Sequence, residues 1–120
     1  MIIIDTNILM ELENVDIFQQ LDDFREFGDP VILSSCMEEL EKLGTKKARF
    51  AISVIERLSE FNPKLKVVRT FEKHADDAII KYARPGKDVV VTNDDKLIKQ
   101  LKLNNVKVAR LRQKKYLAFA

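Results

Sequence analysis

The sequence predicts an α/β protein in which a central parallel sheet of five strands lies between two layers of helices. Short apolar runs alternate with longer segments of helical spacing along the 120 residues, and this alternation is typical of a parallel sheet whose strands are connected by helices. The runs are apolar at every position rather than at every second one, which indicates strands buried on both faces. The length suits one domain, so we expect residues 1–120 to form a single three-layer α/β/α sandwich.

The first half of the chain is predicted to contain two strands and the helices that follow them. A β-branched run forms the first strand, and apolar residues at helical spacing predict a helix over residues 7–27, which Gly28 ends. Pro30 opens the second strand. Ser34 or Ser35 is placed to cap the next helix, with acidic residues downstream for a capping box.

The second half continues the same alternation. The long helix over residues 46–61 ends at Asn62 and Pro63, because an Asn-Pro pair does not continue a helix. Its apolar stripe consists of Phe50, Val54, Ile55 and Leu58. The remaining elements are strands over residues 66–68, 89–91 and 106–111 and helices over residues 72–83 and 94–103. The pattern of residues 112–120 is ambiguous.

Composition excludes several classes of protein. No apolar run is long enough to span a membrane, and the first residues lack the basic start of a secretory leader, so we expect a cytoplasmic protein without a membrane segment. Cys36 is the single cysteine and cannot form an internal disulfide, so we expect a small buried side chain there rather than a nucleophile. His74 is the single histidine, which argues against a histidine-based metal site or a Ser-His-Asp triad.

Acidic residues follow the predicted strands at one edge of the sheet. Asp5 is the first residue after the first strand, and Asp94 lies three residues after the fourth. Glu39 lies on the helix after the second strand, and Asp76 and Asp77 on the helix after the third. Open parallel sheets bind ligands beyond the carboxyl ends of their strands, so we expect these acids to come together. Crowded carboxylates repel one another unless a cation neutralises them, and oxygen ligands suit Mg²⁺ or Mn²⁺.

Each acid also has a simpler interpretation. Asp5 and Asp94 stand where helix-capping residues stand, and Glu39, Asp76 and Asp77 suit a solvated helix face. A single site nevertheless explains all of these positions at once. The chain lacks a glycine-rich phosphate loop and an Asp-x-Asp start, so the chemistry left for such a site is metal-assisted hydrolysis of a phosphodiester.

Four short motifs lie at these strand ends. They read Ile-Ile-Asp-Thr-Asn from residue 3, Met-Glu-Glu-Leu-Glu-Lys-Leu from residue 37, Ala-Asp-Asp-Ala-Ile from residue 75 and Val-Thr-Asn-Asp from residue 91. In this order, and over essentially the whole chain, they resemble the motifs of the PIN-domain ribonucleases. The resemblance implies a PIN-like fold and a metal-dependent endoribonuclease that cuts single-stranded RNA. It implies that Asp5, Glu39, Asp76 and Asp94 are catalytic and bind Mg²⁺ or Mn²⁺, with Asp77 as an alternative metal ligand beside Asp76.

The same resemblance implies supporting and partner roles. The side chains expected to orient the carboxylates or the attacking water are Thr6, Asn7, Thr92 and Asn93. Some family members have a further acid where this chain has Lys96, so Asp95 is the remaining candidate for that role. The motif around Glu39 and the basic end look more like the rRNA-processing branch than the toxin branch. A toxin paired with an antitoxin, a non-cleaving module that binds RNA or ribosome-assembly factors, a DNA-directed nuclease and a homodimer stay open.

The formal net charge of +2 hides an uneven distribution. Residues 1–95 carry 13 basic and 19 acidic side chains, whereas residues 96–120 carry eight basic and no acidic ones. Basic side chains can hold phosphates that an acidic site repels, so the distribution favours RNA as the partner. The residues predicted to contact RNA are Lys46, Lys47, Arg49, Arg110, Arg112, Lys114 and Lys115. Tyr116 is available to stack on a base.

Overall fold

The computed structural model describes residues 1–62 and 64–120. Its strands are β1 (Ile2–Ile4), β2 (Pro30–Leu33), β3 (Lys66–Val68), β4 (Val89–Val91), β5 (Lys107–Arg112) and β6 (Tyr116–Phe119). Its α-helices are α1 (Thr6–Leu9), α2 (Ile17–Gln20), α3 (Ser34–Leu43), α4 (Lys46–Phe61), α5 (Ala75–Tyr82) and α6 (Asp95–Leu103). A 3-10 helix covers Leu21–Phe27. Over the described ranges, none of these helices is both long and apolar enough to cross a membrane.

The strands form one sheet in the order β3-β2-β1-β4-β5-β6. Strands β1 to β5 run parallel to their neighbours, and β6 runs antiparallel to β5. The chain passes outward from β1 to β3 on one side and then crosses to β4 and β5 on the other. The carboxyl ends of β1 and β4 therefore meet where the strand order reverses, which is where open α/β sheets bind ligands.

Helices cover the sheet on both faces. Ile2, Ile3 and Ile4 are all buried, although successive side chains of a strand point to opposite faces. The three valines of β4 are buried in the same way. The predicted three-layer α/β/α arrangement is therefore confirmed.

The sheet of the described residues has one strand more than predicted. β6 pairs with β5 through a tight turn in which Gln113 and Lys114 have φ values of 52° and 54°. Hairpin turns of this type usually carry Asn-Gly or Asp-Gly, so the sequence pattern does not reveal this one. The side chain of Gln20 then covers the outer edge of β6: its amide donates to the Lys115 carbonyl oxygen (2.7 Å) and accepts from the Leu117 amide (2.7 Å).

The prediction of one helix over residues 7–27 is wrong. The segment contains α1, α2 and the 3-10 helix, because polar residues interrupt it. Asp16 starts α2 afresh, and its carboxylate accepts a hydrogen bond from the Gln19 amide (3.1 Å). Asp and Asn side chains compete with helical hydrogen bonds in this way, and they favour caps and turns over helix interiors.

The predicted cap of α3 is also wrong. α3 follows Leu33 without a side-chain cap, and the hydroxyls of Ser34 and Ser35 both bond to Thr70 instead. These bonds attach the start of α3 to the segment that leaves β3. The helix ends where predicted, at Gly44, whose φ of 60° suits a residue without a Cβ atom.

Helix α4 has the predicted bounds, and its buried face matches the predicted stripe in part. Ile55 is buried and Leu58 packs against the core, as predicted, whereas Phe50 is 41% exposed and the small side chains of Ala48 and Ala51 face the core instead. The structure ends α4 at Phe61; the predicted break at Pro63 lies outside the described residues.

Candidate active site

Asp5 is a buried carboxylate held between β1 and β4. It directly follows β1, its amide donates to the Val91 carbonyl oxygen (2.9 Å), and the residue is only 4% exposed. One carboxylate oxygen accepts from the Thr6 amide (2.8 Å), and the other accepts from the Thr92 hydroxyl (2.7 Å) and the Asn7 side-chain amide (3.2 Å). The carboxylate thus has one fixed orientation, at the point where the strand order reverses.

The predicted supporting residues connect Asp5 to Asp94 and to β5. The Thr92 hydroxyl accepts from the Asp94 amide (3.1 Å), and the Asn93 amide donates to the side-chain oxygen of Asn7 (3.2 Å). Asn93 also pairs with Leu111 of β5 in both directions, at 3.1 and 2.8 Å. Three strand ends are therefore tied together around the Asp5 carboxylate.

The environment of Asp5 disfavours its charged form. Burial raises the pKa of Asp5, the hydrogen bonds from Thr92 and Thr6 oppose that rise, and the charges of Asp76 and Glu39 add to it, giving a pKa of about 6. Glu39 on α3 and Asp76 on α5 therefore lie close enough to act on Asp5, although both are exposed. The three carboxylates come from three different elements at one edge of the sheet.

Cys36 and Thr6 lie beside this carboxylate. Cys36 is fully buried, as predicted, and burial followed by the charge of Asp5 raises the pKa of its thiol to about 12. The thiol is therefore neutral and a poor nucleophile. The Thr6 hydroxyl oxygen is buried and has no hydrogen-bond partner among the described residues.

The other predicted acids have different surroundings. Asp94 caps α6: one of its carboxylate oxygens accepts from the amides of Lys96 (3.0 Å) and Leu97 (3.2 Å). Asp95 is exposed and forms an ion pair with Arg110 (3.3 Å). Asp77 is exposed on the first turn of α5, next to Asp76.

The predicted RNA-contacting residues fall into two groups. Arg110, Arg112, Lys114 and Lys115 lie on β5 and on the turn after it. β5 runs parallel to β4, so this group reaches the same edge of the sheet as Asp94. The second group, Lys46, Lys47 and Arg49, is exposed at the start of α4.

The oxygen atoms that the described residues place at this edge are of the kind that binds a divalent cation, but they do not form a closed coordination site. Carboxylate oxygens are the ligands that Mg²⁺ and Mn²⁺ prefer, and Asp5, Glu39 and Asp76 supply them at this edge. In the part of the chain that the structure describes, no three His, Cys, Asp or Glu side chains come together closely enough to hold an ion. Asp5 is fixed, whereas the exposed Glu39 and Asp76 side chains are free to turn toward it.

Comparison with known proteins connects this site to a family. A family model described as a PIN like domain matches residues 2–114. The chain belongs to the PIN-like domain family. This PIN-like chain is 39% identical over 90 residues to ribonuclease VapC4 of Methanocaldococcus jannaschii, a match that covers 72% of this chain and 68% of that protein. Its fold is similar to the structure of the PIN domain endonuclease Utp24, with a TM-score of 0.75, 22% identity and coverage of 98% of this chain and 89% of that one.

The geometry brings residues of all four motifs to one edge of the sheet. Hydrogen bonds join Asp5, Thr6, Asn7, Thr92, Asn93 and Asp94, and electrostatics adds Glu39 and Asp76. The resemblance inferred from the four motifs is therefore confirmed at the level of the family. The sequence patterns did not reveal the anchoring of Thr70 by Ser34 and Ser35, because it joins residues that are distant along the chain and belong to no motif.

Proposed function

We propose that this protein is an Mg²⁺- or Mn²⁺-dependent endoribonuclease that hydrolyses phosphodiester bonds in single-stranded RNA. The observation that carries the proposal is the buried Asp5 carboxylate, which is oriented by Thr92 and Asn7 and lies near the acidic side chains of Glu39 and Asp76. A ribonuclease among the relatives of the chain supports the reaction class.

The residues of this chain would hold the ion and align the reaction. Asp5, Glu39, Asp76 and Asp94 would bind it, and a divalent cation there supplies positive charge that offsets the carboxylates and makes bound water more acidic. Thr92 and Asn7 hold the Asp5 oxygens in place, so this ligand need not reorganise when RNA arrives. Asp94 has one oxygen engaged by the amides of α6, which fixes that side chain as well.

The basic group on β5 and its turn supports RNA as the substrate. Arg110, Arg112, Lys114 and Lys115 lie at the edge of the sheet that holds the acids, and they can take the phosphates flanking the bond to be cut. Contacts of this kind weaken steeply as salt is added. We expect the affinity for RNA to decrease strongly between low and moderate salt and to become less salt-sensitive when Arg112, Lys114 and Lys115 are neutralised.

A cleavage assay with matched variants tests the reaction. We expect Asp5→Asn and Asp94→Asn to abolish Mn²⁺-dependent cleavage of single-stranded RNA, and Asp76→Asn to reduce it more than Asp77→Asn does. Asp23→Asn, which changes an exposed acid of the 3-10 helix, is the control for nonspecific loss of charge. Full activity of Asp5→Asn, or cleavage that is unaffected by EDTA, would contradict the proposal. A DNA oligonucleotide of the same sequence tests whether the enzyme selects the sugar.

Within the family we propose an rRNA-processing role in the cytoplasm rather than that of a toxin held by an antitoxin. The proposal rests on the acidic motif around Glu39 and on the basic C-terminal quarter. Expression of the unaltered chain alone in a bacterial host tests it: a processing enzyme should leave growth unchanged. Growth arrest that Asp5→Asn relieves would instead identify a toxin.

A further inference from the structure

A second feature lies beside the acidic site, at the carboxyl ends of β2 and β3. A cleft of about 560 Å³ is lined there by α3 and by residues 67–73. Phe71 belongs to this lining, and yet its side chain is 82% exposed. Fully burying a Phe side chain stabilises a fold by about 1.5–3 kcal/mol, so the fold gains little from keeping this ring in water.

The exposure of Phe71 does not come from a loose backbone. Its neighbour Thr70 is buried and bonds to Ser34 and Ser35, its amide donating to the Ser34 hydroxyl at 2.7 Å. On the other side, the Ser35 hydroxyl donates to the Glu72 carbonyl oxygen (3.1 Å). The backbone is thus anchored immediately before and after the aromatic residue, which holds the ring outward in a defined position.

The charges around the ring favour an anionic, flat partner. The guanidinium of Arg69 lies over the Phe71 ring, with its carbon 5.4 Å from the ring centroid. Lys42 and Lys73 also line the cleft, and the acidic Glu72 there is paired with Lys81 (3.1 Å). Aromatic and guanidinium planes stack on unpaired bases, and lysines hold the adjoining phosphates.

We propose that Phe71 and Arg69 form a stacking platform for an unpaired base of the RNA strand. The cleft and the acidic site share elements: α3 carries Glu38 of the cleft and Glu39 of the site, and Glu72 of the cleft stands three residues before α5, which carries Asp76. The strand then has contacts on both sides of the scissile bond, the platform on the β3 side and the basic turn on the β5 side. This inference rests on the proposed function, because it concerns how the same substrate is held.

Binding measurements on the full-length chain test the platform separately from the chemistry. The probe is a fluorescein-labelled single-stranded RNA of about 12 nucleotides, bound in EDTA so that nothing is cut. We expect Phe71→Ala to weaken binding about ten-fold, since stacking on one base has that order of effect, and Phe71→Trp to retain it. Phe61→Ala is the matched control, because Phe61 is similarly exposed (79%) but lies at the end of α4 and does not line the cleft.

Three further readings separate the possible outcomes. For an abasic strand and for a duplex RNA, Phe71→Ala should have the same affinity as the unaltered chain. The two proteins should also unfold at the same urea concentration. Equal weakening by Phe71→Ala and Phe61→Ala, or no binding of the probe by the unaltered chain, would overturn the inference. A change in oligomeric state with unchanged RNA affinity would overturn it in favour of a protein contact. If the unaltered chain cleaves RNA and Phe71→Ala binds the probe normally, the stacking platform is refuted and the proposed reaction is not. If binding depends on Phe71 but the unaltered chain cleaves no RNA, the proposed reaction is refuted and the platform is not.

Discussion

Replacing Asp5 by Asn should make the metal-free protein more stable at neutral pH. The pKa of Asp5 is raised from 3.8 to about 6, mainly by burial. The native state therefore binds more protons than the unfolded chain between these values, so stability decreases as pH rises through that window. A difference of about two pKa units corresponds to about 3 kcal/mol of unfolding free energy lost by about pH 7.

Asparagine removes this cost because, like the protonated carboxyl group, it carries no charge. It is as good an N-cap as aspartate, so its side-chain oxygen can keep the bond from the Thr6 amide, but its NH2 group cannot accept the bonds that Thr92 and Asn7 donate to the second carboxylate oxygen. We expect Asp5→Asn to raise the free energy of unfolding by about 2–3 kcal/mol at about pH 7 and by less than about 1 kcal/mol at about pH 4. In a chain of this length, the larger gain corresponds to roughly 10 °C in the unfolding midpoint.

Urea denaturation in EDTA at the two pH values measures the effect. Asp23→Asn, an exposed site, should leave stability within about 0.5 kcal/mol at both. An equal gain at both pH values would show that the stabilisation does not come from ionisation. A loss of stability at neutral pH would refute the reasoning that the folded chain pays for a buried charge at this position.

Two other predictions concern stability away from the site. The side chain of Asp88 is buried. Burial alone would raise its pKa, but the hydrogen bonds from Arg84 and from the N-terminal ammonium group of Met1 outweigh burial and bring it to about 2. Ionised Asp88 should therefore add roughly 2 kcal/mol to the free energy of unfolding above about pH 4, and this stabilisation should be lost as the pH falls toward about 2. In an acid-unfolding series, Asp88→Asn should remove this pH dependence. At the β5–β6 turn, Lys114 has a φ of 54°, so Lys114→Gly should stabilise the fold by about 0.5–1 kcal/mol. Lys115→Gly, one residue later and outside the positive-φ region, should destabilise it, and equal effects in thermal unfolding would contradict this explanation.

The parts of the structure that the sequence predicts are those decided by local pattern. β-branched runs such as Val89–Val91 favour interior strands of a sheet, and Gly44 ends a helix because its backbone is left-handed. Asp5 could be placed at the carboxyl edge because its position follows from the strand before it. That reasoning predicts that Asp5 lies near the other acidic residues, but it cannot predict the Thr92 hydrogen bond that orients its carboxylate.

The missed features depend on contacts between distant segments. The hairpin that adds β6 forms through two non-glycine residues in left-handed conformations, which pairing with β5 imposes on the turn. Ser34 and Ser35 do not cap α3, since Thr70 offers them partners that no local pattern shows. Likewise, the orientation of α4 depends on which of its faces packs on the neighbouring elements, and small side chains such as Ala51 occupy that contact in place of Phe50.

The hydrogen bonds of Gln20 to the outer strand also bear on how the edge of the sheet is protected. An unpaired strand at the rim of a sheet can recruit a strand from another molecule, and this is a common route to aggregation. On the β6 side, a single glutamine side chain occupies the Lys115 carbonyl and the Leu117 amide that an incoming strand would need. The opposite rim, β3, is three residues long and begins with an exposed lysine, Lys66, which is another common defence. The two rims of the sheet are thus blunted in different ways, one by a side chain that takes backbone hydrogen bonds and the other by a short strand that begins with a charge.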